Sequence, residues 1–153
     1  MKKLFLVVVS ILVTASFAWG AGSCVPSSTE TIDVLLGKEK RKVVTLTCTG
    51  DGTIAAYSFS PITYGVQGWY LYQVKTNPGT SAPTDEYDIT LMVDGEDIAG
   101  GLLADRSATA TQTVLIAPAT RGYEMLTETM AITFANNAAN PSVIVLTLKF
   151  TSN

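Results

Sequence analysis

The chain has 153 residues, of which 47% are hydrophobic and 15% charged; it carries no histidine and a formal net charge of −3. That length suits one domain, and so apolar a composition with so few charges excludes intrinsic disorder. Without histidine the usual general base, the commonest zinc ligand and a Ser-His-Asp triad are all excluded.

The first element is a leader. A basic "MKK" precedes the apolar run "LFLVVVSILVTASFAW", and Ala18 and Gly20 supply small residues at the positions a signal peptidase reads. Residues 1–20 are therefore expected to be a secretory signal peptide, with 21–153 as a single domain. The alternative is an uncleaved anchor, since Leu4 to Ala21 is about the minimum span of a bilayer. Cleavage would remove Lys2 and Lys3. The balance would then be eight Lys/Arg (10 − 2) against 13 Asp/Glu, a net charge of −5. An acidic domain with no basic patch repels a phosphate backbone, so no nucleic-acid partner is expected.

Cys24 and Cys48 are the two cysteines. In an oxidising compartment they can pair, enclosing about 23 residues for roughly 3 kcal/mol. Two other states stay open: free thiols, and a lipid anchor on Cys24. "AGSC" resembles a lipobox, although Ala21 stands where such a motif has Leu.

Downstream, short alternating runs separated by turn residues predict strands. The first is "TIDVLL" (Thr31–Leu36), followed by a charged turn, "GKEKRK" (Gly37–Lys42). "VVTLTC" (Val43–Cys48) places Val44, Leu46 and Cys48 on one face. The turn "TGDG" then leads into "TIAAYSFS" (Thr53–Ser60). "WYLYQVKT" (Trp69–Thr76) bears much aromatic surface and is expected to lie centrally or at an interface, although its alternation loses register near Val74. "NPGTSAPTDE" is expected to stay out of the sheet, because two prolines lack the N–H donor. "YDITLMV" points Tyr87, Ile89, Leu91 and Val93 inward, and Asp94-Gly95 is a hairpin turn.

"EDIAGGLLADRSATAT" reads as a long loop released by Gly100-Gly101. Its Leu102, Leu103, Asp105 and Arg106 are the candidate contact residues, with Asp105 and Arg106 expected to form a local salt bridge or a contact. "QTVLIAP" (Gln112–Pro118) is another strand and "ATRGYEMLTE" a connector. "TMAITFAN" (Thr129–Asn136) and "SVIVLTLKF" (Ser142–Phe150) close the chain, the latter with Ile144, Leu146, Leu148 and Phe150 inward. No run sustains a 3.6-residue period beyond two turns. The expected fold is all-β, an antiparallel β-sandwich of about eight strands, Ig-like or jelly-roll-like.

Chemistry is sparse. The carboxylates Asp85, Glu86, Asp88, Asp94, Glu96 and Asp97 admit a calcium loop, but they lack the EF-hand pattern and read better as a solvated acidic edge. Nothing fixes two of them across a cleft for glycoside hydrolysis. Trp69, Tyr70 and Tyr72 offer a sugar-stacking platform or, more simply, core packing.

The segments "TNPG" (Thr76–Gly79), "APTDEYDITL" (Ala82–Leu91) and "ADRSATAT" (Ala104–Thr111) fit a layout in which an acidic turn is followed by a Gly-Gly pair. With the upstream "RKVVTLTCTGDGTIAAYSFSPI" (Arg41–Ile62) and the terminal "LKF", the chain resembles a family of small, mostly uncharacterised bacteriophage proteins, structural components of the virion head or tail. The resemblance runs from about Arg41 to the end. It implies a building block without known catalytic residues, and the secretion-like leader departs from it.

The expectation is thus a non-enzymatic structural or assembly protein. It would have no cofactor, no metal and no catalytic residue, and its partners would be itself or other structural proteins. Membrane contact would come only through the leader or a lipid on Cys24. The location would be exported (periplasmic or extracellular) or in a virion. The second reading is an exported envelope or surface protein that binds a ligand such as a glycan.

Overall fold

A computed structural model describes residues 22–33, 40–50, 57–116 and 122–152. Residues 1–21, 34–39, 51–56, 117–121 and 153 lie outside the described residues. With them go the expected leader, residues 34–36 of the first expected strand, residues 37–39 of the charged turn, the Asp51-Gly52 part of the next expected turn, residues 53–56 of the strand after it, and Ala117-Pro118. All regular structure among the described residues is β: β1 (Ser23–Asp33), β2 (Lys40–Gly50), β3 (Tyr57–Phe59), β4 (Trp69–Pro78), β5 (Asp88–Val93), β6 (Glu96–Asp97), β7 (Gln112–Leu115), β8 (Tyr123–Met125), β9 (Met130–Ala135) and β10 (Ser142–Thr151). They form two antiparallel sheets. The larger has the order β1-β2-β10-β4-β7, with β8 also pairing β4, and the smaller has the order β3-β9-β5-β6.

The sheets pack on one another as a sandwich because each presents an apolar period-two face. Val44, Leu46 and Cys48 of β2 and Ile144, Leu146, Leu148 and Phe150 of β10 are all fully buried. Ile89, Leu91 and Val93 of β5 with Ile132 and Phe134 of β9 close the core from the other side. Contact between the layers is direct: Phe59 of β3 stacks on Phe150 of β10 with ring centroids 5.8 Å apart, and on Tyr64 at 4.4 Å.

Several elements differ from the expectation. β1 begins eight residues before Thr31, and its hydrogen-bonded template is the long β2: Cys24 lies opposite Cys48 and Ile32 opposite Arg41. Its Ser/Thr-rich sequence carries little strand signal of its own. Lys40, Arg41 and Lys42 belong to β2 and not to a turn. The ladder also runs through Pro78, which lies opposite Ile144. At the adjacent position the Gly79 N–H donates to Val143 O, so alternation leaves Pro78 where no N–H is needed by β10. Within the connector after Arg121, Tyr123–Met125 forms β8 and pairs with Trp69–Leu71. These additions give ten strands among the described residues.

The lost alternation in β4 has a structural cause. Lys149 faces Gln73 but Phe150 faces Leu71, so Tyr72 is an extra, bulged residue. The inward set therefore switches from Leu71 to Val74 and Thr76, all buried.

Candidate contact surface

The loop from Ile98 to Thr111 starts at the β5–β6 hairpin. Asp94 and Gly95 both take positive φ, 49° and 83°, as a two-residue type I′ turn requires. Two residues after Gly95, Asp97 turns its carboxylate back on the chain. Oδ1 accepts the N–H groups of Leu91 and Ala99, each at 3.1 Å, and Oδ2 accepts that of Gly101 at 2.8 Å.

The other acidic residues repeat this use. Asp88 Oδ1 accepts Asp105 N–H at 2.9 Å, and its Oδ2 accepts the Asn136 amide. Asp85 Oδ1 accepts Ala108 N–H at 2.9 Å. Gln112 Oε1 takes the Ser107 N–H at 2.8 Å, and the Thr111 hydroxyl donates to Asn77 Oδ1 at 2.6 Å. The acidic stretch is thus wiring for the loop. Among the described residues no three acidic or cysteine side chains converge as metal ligands.

The four expected contact residues divide. Leu102 is 50% exposed and Asp105 is exposed. Leu103 and Arg106 are corrected to buried positions. Leu103 has no exposure, because the bond from Ile89 N–H to Leu103 O ties this residue to β5 and draws its side chain into the core. Arg106 is 6% exposed and bridges to Tyr87, whose carbonyl accepts its N–H at 2.8 Å.

The Arg106 side chain also turns inward. Nε and Nη2 both donate to Thr76 Oγ1 at 3.3 Å, and Nη1 donates to Leu102 O at 3.4 Å. No Asp105–Arg106 salt bridge forms; Asp105, at φ 50°, stays outside. The Tyr87 hydroxyl beside this group is buried and has no hydrogen-bond partner among the described residues. Burial raises the Tyr87 pKa, an effect that Thr76 and the Arg106 charge oppose, and burial lowers that of Arg106.

The aromatic strand does not present one platform. Trp69 packs against the core, Tyr70 and Tyr72 are half-buried, and the Arg41 guanidinium lies 6.0 Å above the Tyr72 ring. The Tyr57 and Tyr64 hydroxyls are bonded to one another. Burial first, and then Tyr57, pushes the Tyr64 phenol above the usual tyrosine range. Tyr123 is raised by burial and by Asp94, Glu128 and Glu96.

Cys24 and Cys48 form a disulfide between β1 and β2, which replaces the free-thiol alternative. The structural roles of Asp85, Asp88 and Asp97 were not read from sequence. For Asp97 the signal present was its place shortly before Gly100-Gly101, where a short carboxylate reaches nearby backbone N–H groups. Asp85 and Asp88 bond Ala108 and Asp105, 23 and 17 positions away, and carried no local signal. No helix among the described residues is long and apolar enough to cross a membrane. Comparison with known proteins finds no matching family model, no matching curated protein and no matching solved structure.

Proposed function

We propose that this protein is a non-enzymatic structural or assembly subunit that works by presenting a fixed β-sandwich surface to copies of itself or to another structural protein. The observation that supports this most is the use of its carboxylates. Asp88 and Asp97, among the groups best suited to chemistry in a chain without histidine, are engaged in holding the Ile98–Thr111 loop to β5, and Asp85 holds it to the segment before that strand. A loop held at so many points meets a partner in one shape, with little ordering cost on binding. Leu102 is its exposed apolar residue. The resemblance to phage virion proteins, from about Arg41 to the end, agrees with this reading.

A second reading, an exported envelope or surface protein binding a ligand such as a glycan, is favoured by the Cys24–Cys48 disulfide, since such bonds persist in oxidising compartments. Under it, Tyr70 and Tyr72 would carry the stacking.

Sedimentation velocity over a wide concentration range, with Leu102→Ser alongside, tests the first reading. Concentration-dependent association that Leu102→Ser weakens supports it. Glycan-array binding by a monomer, lost on Tyr70→Ala, would replace it with the second.

A further inference from the structure

The described charges are sorted between the two layers. Apart from buried Arg106, every described Lys or Arg lies on the larger sheet: Lys40, Arg41 and Lys42 on β2, Lys75 on β4 and Lys149 on β10. Residues 85–105, which build β5, β6 and their loops, contain seven carboxylates (Asp85, Glu86, Asp88, Asp94, Glu96, Asp97 and Asp105) and no Lys or Arg.

On the larger sheet the cations form a line. Val44, Leu46 and Cys48 point into the core, so Arg41 and Val43 point out. Lys149 lies opposite Val43 and also opposite Gln73, and Lys75 follows Gln73 by two. Arg41, Lys149 and Lys75 therefore run diagonally across three adjacent strands, each within about 8 Å of the next by strand geometry. Glu30 on the edge strand β1 lies opposite Val43 and so stands diagonal to Arg41 as Lys149 does, and Glu124 on β8 lies opposite Tyr70; neither is ion-paired among the described residues. Among the described residues Arg41 engages only the Tyr72 ring, and neither lysine is ion-paired or hydrogen-bonded.

The opposite charge is gathered at the β5–β6 turn. The register that sets Met92 opposite Ala131 brings the Asp94-Gly95 turn beside the start of β9, and Glu96 pairs with Val93. Asp94, Glu96 and Glu128 therefore gather around one end of the sandwich, where all three act on the Tyr123 phenol. Unlike Asp85, Asp88 and Asp97, Asp94 and Glu96 accept no hydrogen bond from the described residues, and Glu128 accepts only from neighbouring Thr127. Two surfaces of opposite sign on one chain, both with their charges unspent inside it, complement each other between copies.

We propose that the chain associates head to tail, the Arg41–Lys149–Lys75 stripe of one copy receiving the Asp94, Glu96 and Glu128 end of the next. This rests on the assembly reading and names its partner and surface. The two patches differ, so the contact is heterologous and repeats into a ring or a filament.

The test is sedimentation velocity on the full-length, disulfide-bonded protein, with K75E/K149E and D94K/E96K as variants. All six groups are outside the core, and a melting curve on each variant verifies folding. Wild type should associate at low salt and dissociate as salt rises. Each variant alone should associate at least about tenfold more weakly, about 1.4 kcal/mol. An equimolar mixture should regain assembly, because each reversed patch then meets its reversed complement. Association of both variants at wild-type strength overturns the stripe while leaving the assembly reading intact. A wild type that stays monomeric at every concentration overturns self-association altogether. Binding of the monomer to phosphatidylglycerol vesicles, lost in K75E/K149E, overturns the proposal in favour of an anionic surface.

Discussion

Asp97 and Gly101 are joined across the start of the long loop, the Gly101 N–H donating to Asp97 Oδ2 at 2.8 Å while Oδ1 of the same carboxylate holds Leu91 and Ala99. One side chain thus satisfies three backbone donors from two elements. Asp97→Ala should cost about 2–3 kcal/mol, since hydrogen bonds to a charged group are worth more than neutral ones and the Leu91 and Ala99 donors would lose an acceptor. Asp97→Asn keeps one acceptor oxygen and should lie between. Chemical denaturation with both variants measures the order. A silent Asp97→Ala would mean that the carboxylate does not hold the loop.

The neighbours Leu102 and Leu103 should separate cleanly. Leu103 is fully buried, so Leu103→Ala should cost about 2–5 kcal/mol, the range for emptying a buried aliphatic site. Leu102 is half exposed, so Leu102→Ser should change stability by less than about 0.5 kcal/mol. Its effect should appear in association and not in the melting curve. Equal destabilisation by the two would place Leu102 in the core and remove it as a contact residue.

What could be read from sequence follows the strength of the period-two signal. β2, β5, β9 and β10 alternate strictly; the inward residues expected of β2, β5 and β10, Val44, Leu46, Ile89, Leu91, Ile144 and Leu148, are buried, and so is Ile132 of β9. β1 and β8 were not read correctly, because their pairing is imposed by neighbours: β1 follows β2 for almost its whole length and β8 adds three residues to the end of β4. In β4 the Tyr72 bulge shifts the period, which no composition rule shows. At the surface, Leu102 and Leu103 look alike in sequence. Their difference arises from the backbone bond between Leu103 and Ile89, a contact 14 residues apart in the chain. The acidic run showed its charge but not its use, since accepting N–H groups from a loop depends on where that loop returns.

The disulfide should contribute about 3 kcal/mol through the 24-residue separation it closes, if its effect is mainly on the unfolded chain. Cys24 and Cys48 are both buried in the hydrophobic core, so Cys24→Ser/Cys48→Ser adds a polar cost that Cys24→Ala/Cys48→Ala avoids. The Ala pair should therefore melt above the Ser pair and below the oxidised protein. Equal melting of the oxidised protein and the Ala pair would show that β1 is held by its backbone ladder and core contacts alone.

Stability should fall on the alkaline side. Tyr64, Tyr87 and Tyr123 each have a folded pKa above the ordinary tyrosine value, chiefly through burial. A group with a raised folded pKa binds its proton more tightly when folded. Its contribution is complete below the unfolded value, near 10, and is lost as pH rises through the folded one. The melting temperature should therefore decline above about pH 10, and tyrosinate absorbance should show a late class of tyrosines that titrates only with unfolding. Tyr64→Phe should reduce the slope. If all six tyrosines titrated together near their ordinary value without loss of fold, the half-buried hydroxyl bond between Tyr57 and Tyr64 would be disproved.

The inward-turned Arg106 yields the sharpest contrast. A buried arginine normally stands beside a carboxylate, and breaking such a pair costs about 3–5 kcal/mol because one charge is stranded. Here Arg106 meets a hydroxyl and a carbonyl, Thr76 and Leu102, and no carboxylate among the described residues. Removing it strands no charge and relieves the desolvation of its own. Arg106→Met, which keeps much of the volume, should accordingly change stability by less than about 1 kcal/mol and is expected to raise it. Tyr87→Phe should behave alike, since the hydroxyl it removes is buried without a partner and its ring stays in the core. The two side chains share Thr76 as neighbour, so their effects should not add fully, and a double-mutant cycle measures that coupling. A loss above about 3 kcal/mol for Arg106→Met would mean that the guanidinium answers a negative group, and the neutral surroundings described for it would be wrong.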